Sequence, residues 1–250
     1  MLKSIMAWVA GVTLTVSPVL AEDVTGVVKY DGTPKKPRKV TGITDEHCKK
    51  QHPEGIEIVT EKVGKDGGLA DVFVQVKSGL PKDAKYEIPK GEDGKPVPVV
   101  LDQKGCQYVP SVFGVMVGQP LLVRNSDNTN HNIHGLPKEN PQFNFSQQRR
   151  GMENTIELAK PENFHIKCDV HPWMSARAFV MEHPFFAVTD EDGKFTIKNL
   201  PPGEYELEFW HSTAGTQTQK IKVEAGKPTK LEPVTLKPKP TRRPTPARSN

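Results

Sequence analysis

The sequence predicts an all-β protein. Short runs rich in valine, isoleucine, phenylalanine and threonine alternate with turn clusters along the chain, which holds 23 prolines and 20 glycines among 250 residues. No long apolar stripe with a 3.6-residue period interrupts this pattern. Many short strands separated by turn residues are typical of β-sandwiches and barrels. The formal charge of +4, with basic residues scattered except at the C-terminal end, is too mild to indicate nucleic-acid binding.

The first 21 residues have the composition of a secretory signal peptide. Lys3 precedes an apolar run at residues 5–16, and the stretch SPVLA ends in Ala21, where cleavage is expected. The run is too short to span a bilayer, which takes about 20 residues; a retained N-terminal anchor is the alternative. Because no later stretch is apolar enough to cross a membrane, we expect a periplasmic or secreted protein with no integral membrane segment after signal cleavage.

The rest of the chain divides into three blocks of predicted strands. Stretches such as VTGVVKY and LADVFVQVK lie within residues 23–77, and a polar connector rich in proline and glycine follows at 78–98. A second block covers 99–182, and a third covers 183–236. This spacing predicts one large β domain or two small ones.

The third block contains the clearest strand, and a polar tail follows it. Tyr205, Leu207 and Phe209 alternate with glutamates, which predicts a half-buried strand with a charged outer face. Residues 238–250 are basic and rich in proline. A stretch of this composition cannot bury a core, so we expect it to be disordered.

The cysteine count is odd for a chain that is expected to be exported. Disulfides persist outside the cytosol, and an unpaired thiol there needs a separate role. The three cysteines are Cys48, Cys106 and Cys168. If Cys168 binds a metal ion, Cys48 and Cys106 are free to pair. The alternative is that both of them remain reduced and buried.

The heptapeptide CDVHPWM places a thiol, an imidazole and a thioether in one short segment, as Cys168, His171 and Met174. A predicted strand ends at the cysteine, and a loop carries the other two residues. Pro172 fixes one dihedral angle of this loop and removes one backbone donor, which suits a site whose geometry stays constant when a bound metal changes charge. Three soft or borderline ligands so close together indicate metal binding, although Met174 taken alone would be assigned to the core.

A second imidazole would complete a ligand set typical of copper. In that set two histidines and a cysteine form a trigonal plane, and a methionine binds weakly along the axis. The stretch LLVRNSDNTNHNIHG offers His131 and His134, and either or both could bind. If both bind together with Cys168 and His171, the set fits a closed tetrahedral zinc site, and Met174 then belongs to the core.

The block at 97–182 resembles the cupredoxins, which are Greek-key β-sandwiches that hold type 1 copper. The spacing Cys-x2-His-x2-Met, with proline after the histidine and an aromatic residue before the methionine, is most similar to that of the amicyanins. The stretch YVPSVFGVMVGQPLLVRNSDNTNHNI resembles the opening strands of the plastocyanins. The resemblance implies that a copper ion (Cu+/Cu2+) is bound by four side chains: His131, Cys168, His171 and Met174.

The same resemblance favours His131 over His134 as the first ligand, because Asn132 follows it as in the His-Asn pair of the family. It also implies that Asn132 braces the site by hydrogen bonding towards the Cys168 loop. Together with Pro172, Asn132 is therefore expected to support the ligands without binding the metal itself.

A second resemblance covers the outer blocks. The stretches TDEDGKF and LPPGEYEL are similar to the carboxypeptidase regulatory-like domain, a small transthyretin-like β-sandwich whose first strands are like VTGVVKYDGTP and LADVFVQVK. Because those first strands precede the cupredoxin-like block, the resemblance implies a discontinuous sandwich made of residues 23–90 and 183–237. Neither piece alone has enough strands for a closed sandwich. No zinc-peptidase signature is present in the sequence, so we expect a scaffold or docking module.

These observations favour an electron carrier that exchanges electrons with a redox partner protein. A metal with four protein ligands leaves no position for a substrate, and the sequence offers no convincing catalytic triad, phosphate loop or carboxylate pair, so we do not expect an enzyme. Pro172 and Trp173 beside His171 indicate an apolar docking patch of the small size that weak redox encounters use. The alternative is a copper-binding or storage protein, or a surface interaction module, without a redox partner.

Overall fold

The structure, a computed structural model, describes residues 20–239. The predicted signal peptide (1–21) and basic tail (238–250) lie outside the described residues, except for two residues of each. Within 20–239 the chain forms nineteen strands and one six-residue helix, so the predicted all-β class is confirmed. No helix in this range is long and apolar enough to cross a bilayer.

The elements follow one another in this order: β1 (Glu22–Tyr30), β2 (Arg38–Val40), α1 (Glu46–Gln51), β3 (Ile56–Ile58), β4 (Phe73–Ser78), β5 (Val99–Lys104), β6 (Gln107–Val109), β7 (Val112–Met116), β8 (Leu121–Asn125), β9 (His131–Gly135), β10 (Phe143–Gln147), β11 (Glu153–Ile156), β12 (Glu162–Lys167), β13 (Ser175–Met181), β14 (Phe186–Val188), β15 (Lys194–Leu200), β16 (Gly203–His211), β17 (Gly215–Val223), β18 (Thr229–Lys230) and β19 (Val234–Leu236).

Strands from both ends of the described chain form one sandwich, which we call the terminal sandwich. One sheet has the order β15-β1-β18, with β19 also paired to β1, and the other has the order β14-β4-β16-β17. In β16 the side chains of Tyr205, Leu207 and Phe209 are buried between partly exposed or exposed glutamates, as the alternation predicts. Each sheet therefore places a strand from the first block between strands from the third.

The second sandwich, which we call the central sandwich, is built from residues 99–181. Its sheets have the orders β10-β9-β12-β13-β7 and β11-β8-β5-β6. Apolar side chains of alternating strand positions fill the space between the sheets, as expected for a sandwich core; among them Leu121, Ile133, Phe164 and Ile166 are at most 2% exposed. The last residues of β9 pair antiparallel with the last residues of β12. The start of β9 therefore lies beside the loop that follows β12, and this juxtaposition positions the site.

A compact apolar cluster joins the two sandwiches. The ring of Phe73 on β4 stacks on that of Phe179 on β13, with centroids 3.9 Å apart and planes inclined by 5°. Val112 and Met181 are buried in the same cluster. The contact between β4 and β13 therefore fixes the terminal sandwich against the central sandwich by apolar burial.

Residues 38–58, which we call the cap, depart from the predicted arrangement. They were expected to belong to the regulatory-like sandwich, but β2 and β3 pair only with each other. Both strands have three residues and few apolar side chains, so they have little to add to a sandwich core. The cap instead packs on the central sandwich around Cys48, Ile56 and Cys106, with Trp173 at the edge of this cluster.

Candidate metal centre

The heptapeptide motif forms a closed loop between β12 and β13. The backbone N–H of Met174 donates to the carbonyl of His171 (2.9 Å), and that of Cys168 donates to the carbonyl of Met174 (3.4 Å). The side chains of Cys168 and His171 are each 2% exposed, and that of Met174 is 1% exposed. All three potential ligands of the loop therefore lie inside the protein, while Pro172 is on the outside.

His131, the first residue of β9, meets this loop from the neighbouring strand. Its Nδ1 lies 3.0 Å from Nδ1 of His171, and Sγ of Cys168 lies 4.0 Å from the same His171 nitrogen. Metal–nitrogen bonds of about 2.0–2.1 Å and metal–sulfur bonds of about 2.3 Å let two ligands of one ion lie up to about 4.4 Å apart. Both separations therefore fit three donors that share one ion.

The outer ring nitrogen of His131 determines which nitrogen its neutral ring offers to a metal. Nε2 of His131 donates to Oδ2 of Asp127 (2.9 Å), so the neutral ring would offer Nδ1, whereas without a metal a proton on Nδ1 can be donated to Cys168. Nε2 of His171 faces Oδ2 of Asp45 at 3.6 Å. The two inner nitrogens, 3.0 Å apart, are close enough to share either a proton or a metal ion. A carboxylate that accepts from the outer nitrogen of a histidine ligand, as Asp127 does for His131, is a regular feature of metal sites, so the donor set fits a metal ion.

Charge within the cluster favours a thiolate. Burial raises the pKa of Cys168, but hydrogen bonds from His131 and His171 and from the backbone N–H groups of Asn132 and His171 outweigh burial and lower the pKa to about 6. Burial also raises the pKa of Asp127, but its hydrogen bonds from His131 and from two backbone N–H groups hold the pKa well below its usual range. The thiolate is the form of cysteine that binds metals.

Asn132 links the two ligand-bearing segments. Its side-chain Oδ1 accepts from the backbone N–H of Asp169 (3.0 Å), and its backbone N–H donates to Sγ of Cys168 (3.4 Å). Its side-chain amide also donates to Asn144 (2.6 Å). The first two of these bonds run to the Cys168 loop, the direction that the resemblance implied for Asn132.

His134, the alternative ligand, lies outside the cluster. Its Nδ1 faces Oδ2 of Asp169 at 2.8 Å, and its side chain is 22% exposed. Residues three apart on a strand point to opposite faces, so β9 cannot direct both His131 and His134 at the same ion. The structure therefore does not assemble the four residues of the zinc alternative.

His171 itself is covered, whereas Pro172 and Trp173, the two residues of the expected docking patch, are exposed and partly exposed. Helix α1 lies over the imidazole, and Cys48 Sγ is 3.8 Å from Nε2 of His171. Cys48 is joined to Cys106 by a disulfide. The ring of Trp173 lies 5.0 Å from that of His171, and its Nε1 donates to the carbonyl of Cys106 (2.9 Å). The cap therefore closes the site on the side of His171.

Two carboxylates of the site, Asp127 and Asp45, were not found from the sequence. Asp127 precedes His131 by four residues, and this spacing is a weak signal because a polar loop separates them. Asp45 is the N-cap of α1, where its side chain accepts from the backbone N–H of Cys48 (2.8 Å). The pattern of an aspartate followed by an acidic first turn and a basic last turn predicts a helix start, but nothing in it indicates contact with His171.

The fold and the site together define an all-β protein of two sandwiches, one of which holds a buried histidine–cysteine cluster. Residues 181–237 match the family model of the carboxypeptidase regulatory-like domain. The match covers the C-terminal strands of the terminal sandwich, and it confirms the resemblance that the sequence of residues 183–237 carries. No curated protein sequence matches the chain.

Parts of the chain are similar to solved copper proteins. A copper-containing nitrite reductase (NirK) from Thermus scotoductus SA-01 is 22% identical, over 42% of this chain and 25% of that chain, with a TM-score of 0.33. A purple cupredoxin from Nitrosopumilus maritimus is 18% identical, over 33% of this chain and 97% of that one, with a TM-score of 0.29. A variant of amicyanin in the Cu(I) form is 15% identical, over 43% and 97%, with a TM-score of 0.31. The chain thus spans a quarter of the nitrite reductase and nearly all of the two smaller proteins.

Proposed function

We propose that this chain is an exported type 1 copper protein that carries single electrons between partner proteins. The observation that carries the proposal is the buried convergence of His131 Nδ1, His171 Nδ1 and Cys168 Sγ. These three atoms would hold the copper, and Met174, buried in the same core, would complete the two-histidine, cysteine and methionine set of a type 1 site. Copper held there supplies one-electron chemistry by alternating between Cu+ and Cu2+.

The surroundings of the cluster support a site that keeps its shape when an electron arrives. Asp127 fixes the ring of His131 through its outer nitrogen, and Asn132 ties β9 to the Cys168 loop. Two backbone N–H groups, those of Asn132 and His171, point at the sulfur (3.4 and 3.3 Å). Because such outer contacts orient metal ligands, the donors keep nearly the same positions for both charges of the metal, and electron exchange needs little rearrangement.

Burial of the ligands supports electron transfer over catalysis on a substrate. Catalytic metal sites keep an open coordination position, whereas His131, Cys168, His171 and Met174 are each at most 2% exposed. Electrons can cross a few ångströms of protein, but a substrate that needs a metal bond cannot. We therefore propose that the chain is not an enzyme.

The position of Trp173 supports an electron path to a redox partner protein. Its indole lies against the ring of His171, and it is only partly buried, so it connects the cluster with the surface beside the cap. Weak redox encounters use interfaces below about 1,200 Å². A partner of that size would cover Trp173, which belongs to the docking patch predicted from the sequence, and the adjoining face of the cap.

The proposed location is the periplasm or the cell exterior. The predicted signal peptide supports export, and the Cys48–Cys106 disulfide supports an oxidising compartment. Export would also separate the protein from the thiols that compete for copper in the cytosol.

The first experiment tests the ligand set. The chain from residue 22 to 250 is loaded with Cu2+ and its visible spectrum is recorded beside those of Cys168→Ser, His131→Gln and His134→Gln. We expect an intense thiolate-to-copper charge-transfer band in the unchanged protein and in His134→Gln, because His134 lies outside the cluster. Cys168→Ser should lack the band, and His131→Gln should lose most of its intensity.

Two outcomes would contradict the proposal. A colourless protein that retains one equivalent of zinc in the presence of excess copper would indicate a structural metal site. A coloured protein whose electron self-exchange is undetectably slow, and which a small cytochrome neither reduces nor oxidises, would indicate copper storage instead of electron transfer.

A further inference from the structure

A cleft of about 430 Å³ lies where the central sandwich, the terminal sandwich and the stretch that follows β3 come together. Pockets for small molecules have volumes of about 300–1,000 Å³ and occur preferentially at such junctions. The lining of the cleft includes Lys62, Asp71, Trp173, Arg177, Trp210 and His211. The cleft adjoins the proposed metal site, because Met174 lines it, but His131, Cys168 and His171 do not.

Arg177 brings a positive charge to this cleft without a matching negative one. Its guanidinium lies over the ring of Trp210, with Cζ 5.6 Å from the ring centroid, and burial lowers its pKa. Its one side-chain hydrogen bond to the described part of the chain is a long one to Asn163 Oδ1 (3.5 Å), and no ion pair found between residues 20 and 239 includes it. A half-buried guanidinium is expensive to leave without an anion, so this group is suited to bind one.

His211 adds a hydrogen-bond donor that has no protein acceptor. The side chain is 2% exposed, and its Nδ1 accepts from the backbone N–H groups of Thr213 (3.4 Å) and Ala214 (3.3 Å). The proton of the neutral ring is therefore on Nε2, which has no hydrogen-bond partner among the residues that the structure describes. Burial lowers the pKa of His211, so the ring stays neutral and Nε2–H remains a donor. Because His211 lines the cleft, a ligand there can accept from Nε2–H.

The acidic groups of the cleft do not satisfy these two donors. Asp71 is already matched, because Lys62 Nζ lies 2.8 Å from its Oδ2 and the hydroxyl of Ser111 donates to the same atom (3.1 Å). Glu57 lines the cleft as well, but its side chain is exposed at the rim. After these internal pairings, the Arg177 guanidinium has no anion and Nε2–H of His211 has no acceptor among residues 20–239.

The rest of the lining mixes polar side chains, such as Thr60, Gln107 and Ser175, with apolar and aromatic ones that supply most of the wall. Trp173 and Trp210 contribute indole rings, and Val112 and Ala176 contribute buried aliphatic surface. Pockets that combine mostly apolar walls with a few placed polar groups bind small organic ligands. We propose that this cleft binds a small aromatic carboxylate, whose negative group pairs with Arg177, whose second acceptor takes the Nε2–H of His211, and whose ring lies against the apolar wall.

The experiment uses benzoate as the probe and benzamide as its neutral counterpart of the same size. Residues 22–250 contain two tryptophans, Trp173 and Trp210, and both line the cleft, so tryptophan fluorescence excited at long wavelength reports on this site. Affinities come from calorimetric titration of the protein as purified with its metal. We expect benzoate to bind with a fluorescence change and benzamide to bind at least tenfold more weakly, since the charge-assisted bond is lost.

Three variants separate the proposed site from the rest of the surface. Arg177→Gln should weaken benzoate binding about tenfold or more, and Arg177→Lys should restore part of it. His211→Asn keeps an acceptor for the backbone N–H groups but lacks the Nε2–H donor, so it should weaken binding severalfold. Arg124→Gln is the matched control, because Arg124 pairs with Glu153 on an exposed face, and it should bind as the unchanged protein does.

The proposal is overturned if benzoate and benzamide bind equally, or if neither changes the tryptophan fluorescence. It is also overturned if folded Arg177→Gln and His211→Asn proteins both bind benzoate with unchanged affinity. None of these outcomes depends on the identity of the metal, so they leave the copper proposal to its own test.

Discussion

The carboxylate of Asp127 does two tasks at once. It accepts the Nε2–H of His131 (2.9 Å), and it accepts the backbone N–H groups of Gly105 (2.9 Å) and Cys106 (2.8 Å). Gly105 and Cys106 form the tight turn between β5 and β6 with φ angles of 65° and 54°. Since a residue with a Cβ rarely adopts a positive φ, the bond to Asp127 helps to hold Cys106 in the conformation that its disulfide requires.

Asp127→Asn tests this double role. An asparagine offers one acceptor oxygen where the site presents three donors, and its NH2 group would face at least one of them. We expect metal affinity to fall about 10- to 100-fold, as for other outer partners of histidine ligands. The free energy of unfolding should fall by about 1–3 kcal/mol, because a buried donor is left unpaired. Competition with a chelator measures the first quantity, and urea unfolding of the metal-free protein measures the second.

Asp169→Asn is the matched control for this change. Asp169 also faces a histidine, His134, at 2.8 Å, but that pair lies outside the cluster and is partly exposed. Metal affinity should therefore stay within about twofold of the unchanged protein. Equal losses in Asp127→Asn and Asp169→Asn would show that the effect is a general one of removing acidic charge.

At the scale of single residues, the sequence was informative where the proposed ligands are neighbours in the chain. Cys168, His171 and Met174 lie within one loop, so their spacing alone placed them together. The choice of His131 came from the resemblance, and strand geometry gives its physical reason, since His134 points to the other face. Asp127 and Asp45 could not be found, because their contacts with the histidines depend on how three distant segments meet.

At the scale of elements, the cap is the feature that the sequence did not predict. Helix α1 has six residues and buries only Cys48, so no apolar periodicity marks it. Strands with a regular alternation, such as β16, were recognised, since alternation alone shows which face is buried. The cap is held mainly by the disulfide and by the side chain of Asp45, whose contacts join it to the central sandwich.

Replacing Cys48 and Cys106 together by serine should release this element. The disulfide closes a loop between residues 58 positions apart, for which the chain-entropy model assigns about 4 kcal/mol. We expect the free energy of unfolding to fall by an amount of that order, and His171 to become accessible. Urea unfolding checks the first expectation, and hydrogen exchange of the α1 backbone checks the second.

Chemical reduction of the Cys48–Cys106 disulfide is the control for the double serine variant. Reduction of the unchanged protein should lower its stability to that of the double serine variant, and the variant itself should not respond. Cys168→Ser, which keeps the disulfide, should still respond to the reductant. If the double variant unfolds at the same urea concentration as the oxidised protein, the cap does not contribute to stability through its disulfide.

At the scale of the whole molecule, the central sandwich is inserted between two parts of the terminal one. The discontinuity could be predicted because neither outer block has enough strands to close a sandwich, whereas the contacts between the sandwiches could not. The chain leaves the terminal sandwich after β4 and returns to it before β14, and these two places lie side by side. Nε2 of His183 lies 3.0 Å from the carbonyl of Val76, and the backbone N–H of Val76 donates to the carbonyl of Phe185 (3.0 Å). An insertion at such a site leaves the pairing of β4 with β14 undisturbed.

The fragment of residues 181–239 should therefore fail to fold by itself, although it contains the whole stretch that matches the family model. It lacks β1 and β4, and each of these strands is hydrogen-bonded on both sides by strands of the fragment. Unpaired strand edges and an open core are the expected result. A chain that joins residues 22–80 to residues 183–239 through a short glycine linker, with Cys48→Ser because Cys106 is removed, restores both central strands. We expect this chain to unfold cooperatively in urea and the fragment to show no transition. A cooperative transition of the fragment alone would mean that the C-terminal strands form an independent domain and that the N-terminal strands only cover it.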